Sequence, residues 1–125
     1  MKLDFLVPML EAANLKETIR FYTETLKFEC VDCLPDFENP SWASFEKDDV
    51  MIMFTARHED SASKNPNMTG SLYFHSDDVN VAWQELKDKT EVEYPLENFD
   101  YGMREFAIRD PNGYLLQFGQ ETANE

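Results

Sequence analysis

The sequence predicts an α+β fold of two tandem βαβββ modules, and three observations lead there. The second half repeats the first at a shift of 64 residues. Adding 64 to Asn14, Leu15, Ile19 and Tyr22 gives Asp78, Val79, Trp83 and Leu86, so a polar cap and an apolar stripe coincide. In each half one short helical pattern lies among segments that alternate apolar and polar residues, as half-buried strands do. Finally, 125 residues suffice for one core of ordinary size but not for two independent ones.

The elements follow in order. Phe5-Leu6-Val7 opens the first module as a strand, and the repeat carries it onto Thr69-Gly70-Ser71, with Leu72-Tyr73-Phe74 continuing. Asn14 caps the first helix with Glu17 at the capping-box position, and Leu15, Ile19, Tyr22 and Leu26 form its stripe. A strand, Glu29 to Leu34, stops at Pro35; Trp42 follows in the turn-rich Asn39-Pro40-Ser41-Trp42. Val50 to Phe54 is the alternating closing strand, matched in the second module by Tyr114 to Phe118. The polar stretch from Arg57 to Asn67, which includes His58 beside Glu59 and Asp60, reads as a surface connection. Asp78 caps the second helix, whose stripe is Val79, Ala82, Trp83 and Leu86. The last two strands flank Arg109-Asp110-Pro111-Asn112-Gly113, a hairpin turn in which Pro presets φ and Asn-Gly supplies positions with φ > 0. Module one therefore spans about residues 1–56, the connection about 57–69 and module two about 70–121, all one domain. A module of roughly 55 residues cannot cover both faces of its own sheet, so the pair is expected to form a curved mixed sheet, a cup with helices on its convex face.

Composition narrows the function. With 25 acidic and 11 basic residues the formal charge is −14, which argues against nucleic acid and anionic membranes and favours cationic ligands. No apolar run approaches the roughly 18 residues of a membrane span. Asp4 and Pro8 interrupt the start of the chain without a cleavage signature, so a cytoplasmic location is expected. Cys30 and Cys33 form a Cys-x-x-Cys on a strand, where positions three apart face opposite sides; divergent, structural thiols are expected.

The final hairpin, together with Asn14-Leu15-x-x-x-Ile19-x-Phe21-Tyr22, resembles the vicinal oxygen chelate superfamily of glyoxalases, extradiol dioxygenases and bleomycin-resistance proteins. The resemblance covers nearly the whole chain and implies the same paired βαβββ fold. In metal-using relatives each module gives one ligand from its first strand, usually His or Gln, about seven residues before the helix cap. Each also gives a Glu from its last strand, within a pattern close to Asp-Pro-x-Gly-x-x-x-Glu. Those positions here are Val7, Met53, Ser71 and Gln117. Val offers no donor, Met suits only soft ions, and neutral Ser and Gln bind divalent ions weakly. No catalytic metal and no cofactor are expected.

Strand parity places Met51, Met53, Tyr73, His75, Leu115 and Gln117 on one face, an adaptable pocket or simply core. Trp42, Phe99 and Tyr101, aromatics in turn-rich segments, are candidate stacking platforms, and Arg104 is a further polar candidate. The direction of Trp42 is open. There is no nucleophile elbow, phosphate loop or dinucleotide fingerprint. The leading reading is a metal-free protein resembling the bleomycin-resistance branch, which sequesters a cationic or aromatic small molecule, an antibiotic among the candidates, in a cleft of the cup. The alternatives are a metal-independent lyase, isomerase or glyoxalase-like enzyme using His75 or Arg104, and a partner-binding module using its acidic surface.

A homodimer is expected as well, because small modules leave edge strands and an apolar rim that twofold pairing covers. Two copies bring like charge together, so the contact should be apolar at its centre and tighten with salt. Sedimentation should show twice the 14.6 kDa chain mass, with the dimer favoured as ionic strength rises. A species that stays at the chain mass in moderate salt would refute it.

Overall fold

The computed structural model describes residues 1–57 and 65–122, so His58 lies outside the described residues. The chain divides into two compact units, Met1–Pro66 and Asn67–Glu125. Each contains one four-stranded mixed sheet and one helical segment, in the order strand, helix, three strands. The α+β fold of two βαβββ modules is thus observed.

In the first unit the elements are β1 (Met9–Ala12), α1 (Leu15–Arg20), β2 (Glu29–Leu34), β3 (Trp42–Lys47) and β4 (Val50–Ala56). The sheet order is β1-β4-β3-β2, with β1 parallel to β4 and the other pairs antiparallel. Asn14 caps α1 by accepting from the Glu17 N–H at 3.0 Å. The helix continues as a π-helical turn over Phe21–Thr25. Leu15, Ile19, Tyr22 and Leu26 are all buried, as the stripe requires. Tyr22 is the hub of this core: its ring lies 5.6 Å from Phe45, 5.0 Å from Phe54 and 5.9 Å from Phe28.

One expectation fails here. The first strand starts at Met9, not at Phe5-Leu6-Val7, so Val7 precedes the sheet. The physical reason is Pro8. It has no N–H to give a ladder, and its carbonyl accepts from Met53 N–H at 2.9 Å as the chain enters β1. Leu3, Phe5 and Leu6 stay largely exposed.

In the second unit the elements are β5 (Leu72–His75), α2 (Val79–Leu86), β6 (Glu91–Asn98), β7 (Met103–Arg109) and β8 (Leu115–Glu121). Their order is β5-β8-β7-β6, with β5 parallel to β8. Asp78 caps α2 by accepting from Val81 N–H at 3.3 Å, the position equivalent to Glu17. Gln120 from β8 adds a second cap: its Oε1 accepts from Val79 N–H at 2.9 Å while its Nε2 donates to the Asp77 carbonyl. Trp83, Phe106, Phe118 and Phe74 form a chain of ring contacts 5.0–5.1 Å apart between helix and sheet. The β7–β8 turn forms around Asp110, whose Oδ1 accepts from Asn112 and Tyr114 N–H groups. Only Gly113 takes positive φ, at 86°, and Asn112 does not; the turn needs one left-handed residue rather than two.

Because Tyr22 is wholly buried among four aromatic rings, those of Phe21, Phe28, Phe45 and Phe54, Tyr22→Ala leaves a large cavity. The expected loss is about 3–5 kcal/mol of stability, read by urea denaturation. A loss below 1 kcal/mol would mean that the first core does not depend on this ring.

Candidate functional site

The second sheet carries α2 on one face and a polar cluster on the other. At its centre is Glu105 of β7, a carboxylate with no solvent exposure. Cross-strand register fixes its neighbours. Glu105 opposes Gly119 and Glu97, Ala107 opposes Gln117 and Tyr94, and Tyr73 is in register with Gln117. Paired residues share a face, so Tyr73, Tyr94, Glu105 and Gln117 converge. β6 achieves this through register shifts between Val92 and Tyr94 and again between Tyr94 and Glu97.

The convergence is realised in hydrogen bonds. Tyr73 Oη donates to Glu105 Oε1 at 3.0 Å, and Tyr94 Oη makes a short bond to Glu105 Oε2. Gln117 Nε2 lies 2.9 Å from Tyr94 Oη and 3.5 Å from Glu105 Oε2, while its Oε1 accepts from Ser71 Oγ. The donors on Glu105 are therefore the neutral side chains Tyr73, Tyr94 and Gln117. Among the described residues the one ion pair is Arg109 with Glu93, 3.1 Å, so no cation offsets Glu105.

Burial, and then the hydrogen bond to Glu105, push the Tyr94 phenol up to about 12 and the Tyr73 phenol well above the ordinary value. Both remain donors throughout the physiological range. Tyr101 is raised to about 12 for the same two reasons. The rim is aromatic. Phe99 stacks on Tyr101 with centroids 5.4 Å apart and planes 14° from parallel, and meets Tyr94 edge-on at 5.6 Å. The His75 ring lies 5.1 Å from Tyr73.

Of the residues singled out by sequence, Tyr73, His75, Phe99, Tyr101 and Gln117 therefore come together. Leu115 shares their face but sits at the far end of β8, opposite Arg109. Arg104 does not join them. It has the opposite parity to Glu105 and donates to Asn80 of α2 at 2.9 Å and to Asn98 at 3.1 Å. In the first unit, Met51 and Met53 do share a face, with Trp42 on it: Trp42 opposes Thr55, two residues on from Met53. Trp42 begins strand β3 rather than lying in a loop, which settles its direction within that sheet.

Two members of the cluster, Glu105 and Tyr94, were not singled out by sequence. Glu105 is one of 25 acids, and its only signal is a carboxylate adjoining the apolar run Phe106-Ala107-Ile108. Tyr94 enters the cluster through the register shifts of β6.

The donor set can be weighed against a divalent ion. In the first unit Met53 is in register with Met9 and Ser44, and Val7 is outside the sheet. In the second, Ser71 and Gln117 bond to each other, and the Gln117 amide nitrogen is engaged as a donor. Among the described residues no three His, Cys, Asp or Glu side chains converge. These groups do not fit a catalytic divalent metal.

The sequence matches the family model described as Glyoxalase/Bleomycin resistance protein/Dioxygenase superfamily over residues 5–118. No curated protein matches it. Among solved structures it is similar to a glyoxalase/bleomycin resistance protein/dioxygenase from Nocardioides, with TM-score 0.79 and 14% identity over 100% of this chain and 88% of that one. It is similar to TnmS3, an antibiotic binding protein from Streptomyces sp. CB03234, with TM-score 0.77 and 18% identity over 98% and 99%. A third is lactoylglutathione lyase from Agrobacterium tumefaciens, with TM-score 0.71 and 21% identity over 96% and 95%. At such identities the likeness is one of fold.

Phenolate absorbance tests the cluster. A phenol whose folded pKa lies above its unfolded value of about 10 contributes stability that is fully present below pH 10. That stability is lost as pH rises through the folded value. Stability should therefore fall between about pH 10 and 12. In Glu105→Gln the Tyr94 midpoint should drop part of the way from about 12, since burial remains while the charge is gone. Tyr101 is 60% exposed and water screens it, so Tyr94 is the better reporter. An unchanged midpoint would mean the carboxylate does not act on the phenol.

Proposed function

The chain belongs to the glyoxalase/bleomycin resistance protein/dioxygenase superfamily, and from that premise we propose that it is a metal-free binding protein for a cationic or aromatic small molecule. The ligand is held on the face of the second sheet opposite α2. The observation that carries this reading is the Phe99–Tyr101 stack set beside a buried carboxylate that has only neutral partners. The electron-rich ring faces of Phe99 and Tyr101 favour cations and planar groups. The charge of −14 acts in the same sense at longer range. Tyr73, His75, Tyr94, Phe99, Tyr101 and Gln117 are the proposed contacts. Antibiotics with amines and fused rings have this chemistry, and one similar fold is that of an antibiotic binding protein.

The proposal includes a homodimer. The exposed apolar side chains of Leu3, Phe5 and Leu6 support it, being surface that pairing would cover.

A thermal-shift screen of aromatic amines, neutral aromatics and aromatic acids tests the reading. A ligand at 100 times its Kd stabilises by about 2.7 kcal/mol, and amines should outrank acids of equal size. The double variant Phe99→Ala/Tyr101→Ala should weaken the best binder roughly ten-fold. Preference for acids, or an unaffected double variant, would overturn it. Turnover of the stabilising compound by metal-depleted protein would replace it with the enzyme reading.

A further inference from the structure

β2 is the edge strand of the first sheet, and its pairing with β3 is irregular. Cys30 opposes Phe45, Asp32 opposes Ser44, and Cys33 opposes Ala43. Two register steps on β3 thus face three residues' advance on β2, and Val31 is the extra residue of a β-bulge. Phe45 and Ala43 are two apart on a regular strand and share a face, so Cys30 and Cys33 share it too. The burial pattern agrees: both cysteines are half-buried, while Val31, Asp32 and Leu34 are exposed. The expectation of divergent thiols is overturned, because it assumed an unbroken strand.

The bulge also shortens the span between the cysteines. Three strand rises would separate their Cα atoms by about 10 Å, and two rises by about 7 Å, the outer limit of disulfide reach. The Cys30 thiol leans the right way. Its Sγ is 3.4 Å from the Asp32 carbonyl oxygen, which belongs to the peptide group joined to Cys33. The Cys33 Sγ donates to the Asp36 carbonyl at 3.6 Å, and both cysteines are free.

We propose that Cys30 and Cys33 are a reversible dithiol–disulfide site, oxidised by a small-molecule disulfide such as oxidised glutathione. One thiolate attacks a sulfur of the oxidant, forming a mixed disulfide and releasing one small thiol. The second thiolate attacks the protein sulfur of that mixed disulfide, forming the Cys30–Cys33 bond and releasing the other small thiol. Two electrons and two protons pass from the protein to the oxidant, and excess small thiol reverses both steps. Burial raises the pKa of both thiols. Beyond burial, Cys33 raises the Cys30 thiol and the Asp36 and Asp32 carboxylates raise the Cys33 thiol, so thiolate is scarce at neutral pH and exchange accelerates in mild alkali. The site lies on the first sheet and is independent of the ligand reading.

The test equilibrates the full chain at mildly alkaline pH with glutathione mixtures of graded ratio, then quenches with acid, alkylates and weighs the intact protein. The expected product is monomeric, unalkylated and about two mass units lighter, and it disappears when reduced glutathione is restored. Cys30→Ser and Cys33→Ser should each stop at a glutathione adduct. Deleting Val31 straightens the strand and leaves the thiols two residues apart on the same face, so the unalkylated product should persist in that variant. If that deletion does not fold, the serine variants decide alone. Wild type that yields only adducts, only alkylated thiols, or an interchain link would overturn the proposal.

Discussion

A carboxylate taken wholly out of water must find donors, and the face of the second sheet opposite α2 is organised by that demand on Glu105. Each supporting residue makes sense in relation to it. Gly119 opposes Glu105, and a Cβ at Gly119 would stand 1.9 Å from the Tyr73 Oη, so only glycine leaves the phenol its path to the carboxylate. Gln117 supplies an amide nitrogen where a second carboxylate would repel the first. The residue that removes a charged ligand from the last strand is therefore the residue that makes a buried Glu105 tolerable. The two observations are one arrangement seen from two sides.

The two units have diverged at this point. Trp42 opposes Thr55 in the first sheet and Glu105 opposes Gly119 in the second, and Thr55 and Gly119 are 64 residues apart. By register, an indole in one module occupies the place of the carboxylate in the other. The repeat preserves the backbone and both N-caps, but not the chemistry of the face. The buried carboxylate is found in one module only, and the other carries Met51, Met53 and Trp42 on the corresponding face.

Much of the fold was legible because its signals are local. A cap followed by a stripe identifies a helix wherever it packs, and Asn14, Asp78 and both stripes behave as read. Parity was equally reliable along regular strands, which is why Tyr73, His75 and Gln117 fell on the correct face. It failed wherever a strand is not regular. Val31 and the shifts in β6 insert residues that no composition marks, and each reverses the parity of everything beyond it. The divergence expected of Cys30 and Cys33 fails for that reason. Arg104 was an error of another kind, a charged residue taken for a site contact when its strand turns it toward α2. Val7 was displaced because the count back from the cap ignored how Pro8 delays the ladder.

The irregularities also have a bearing on how the chain survives in crowded solution. A sheet edge with evenly spaced free N–H and C=O groups is a template on which other chains can polymerise. β2 and β6 are both such edges, and neither is even. Val31 breaks the spacing of the first, and the second carries two shifts and Pro95, which has no N–H to offer. The bends that aim Tyr94 at a carboxylate and bring two thiols to one side also deny an incoming strand a continuous register. Selection for a working surface and selection against fibrils would then act on the same few residues. Straightening either strand by deletion would threaten the solubility of the protein before it altered its stability.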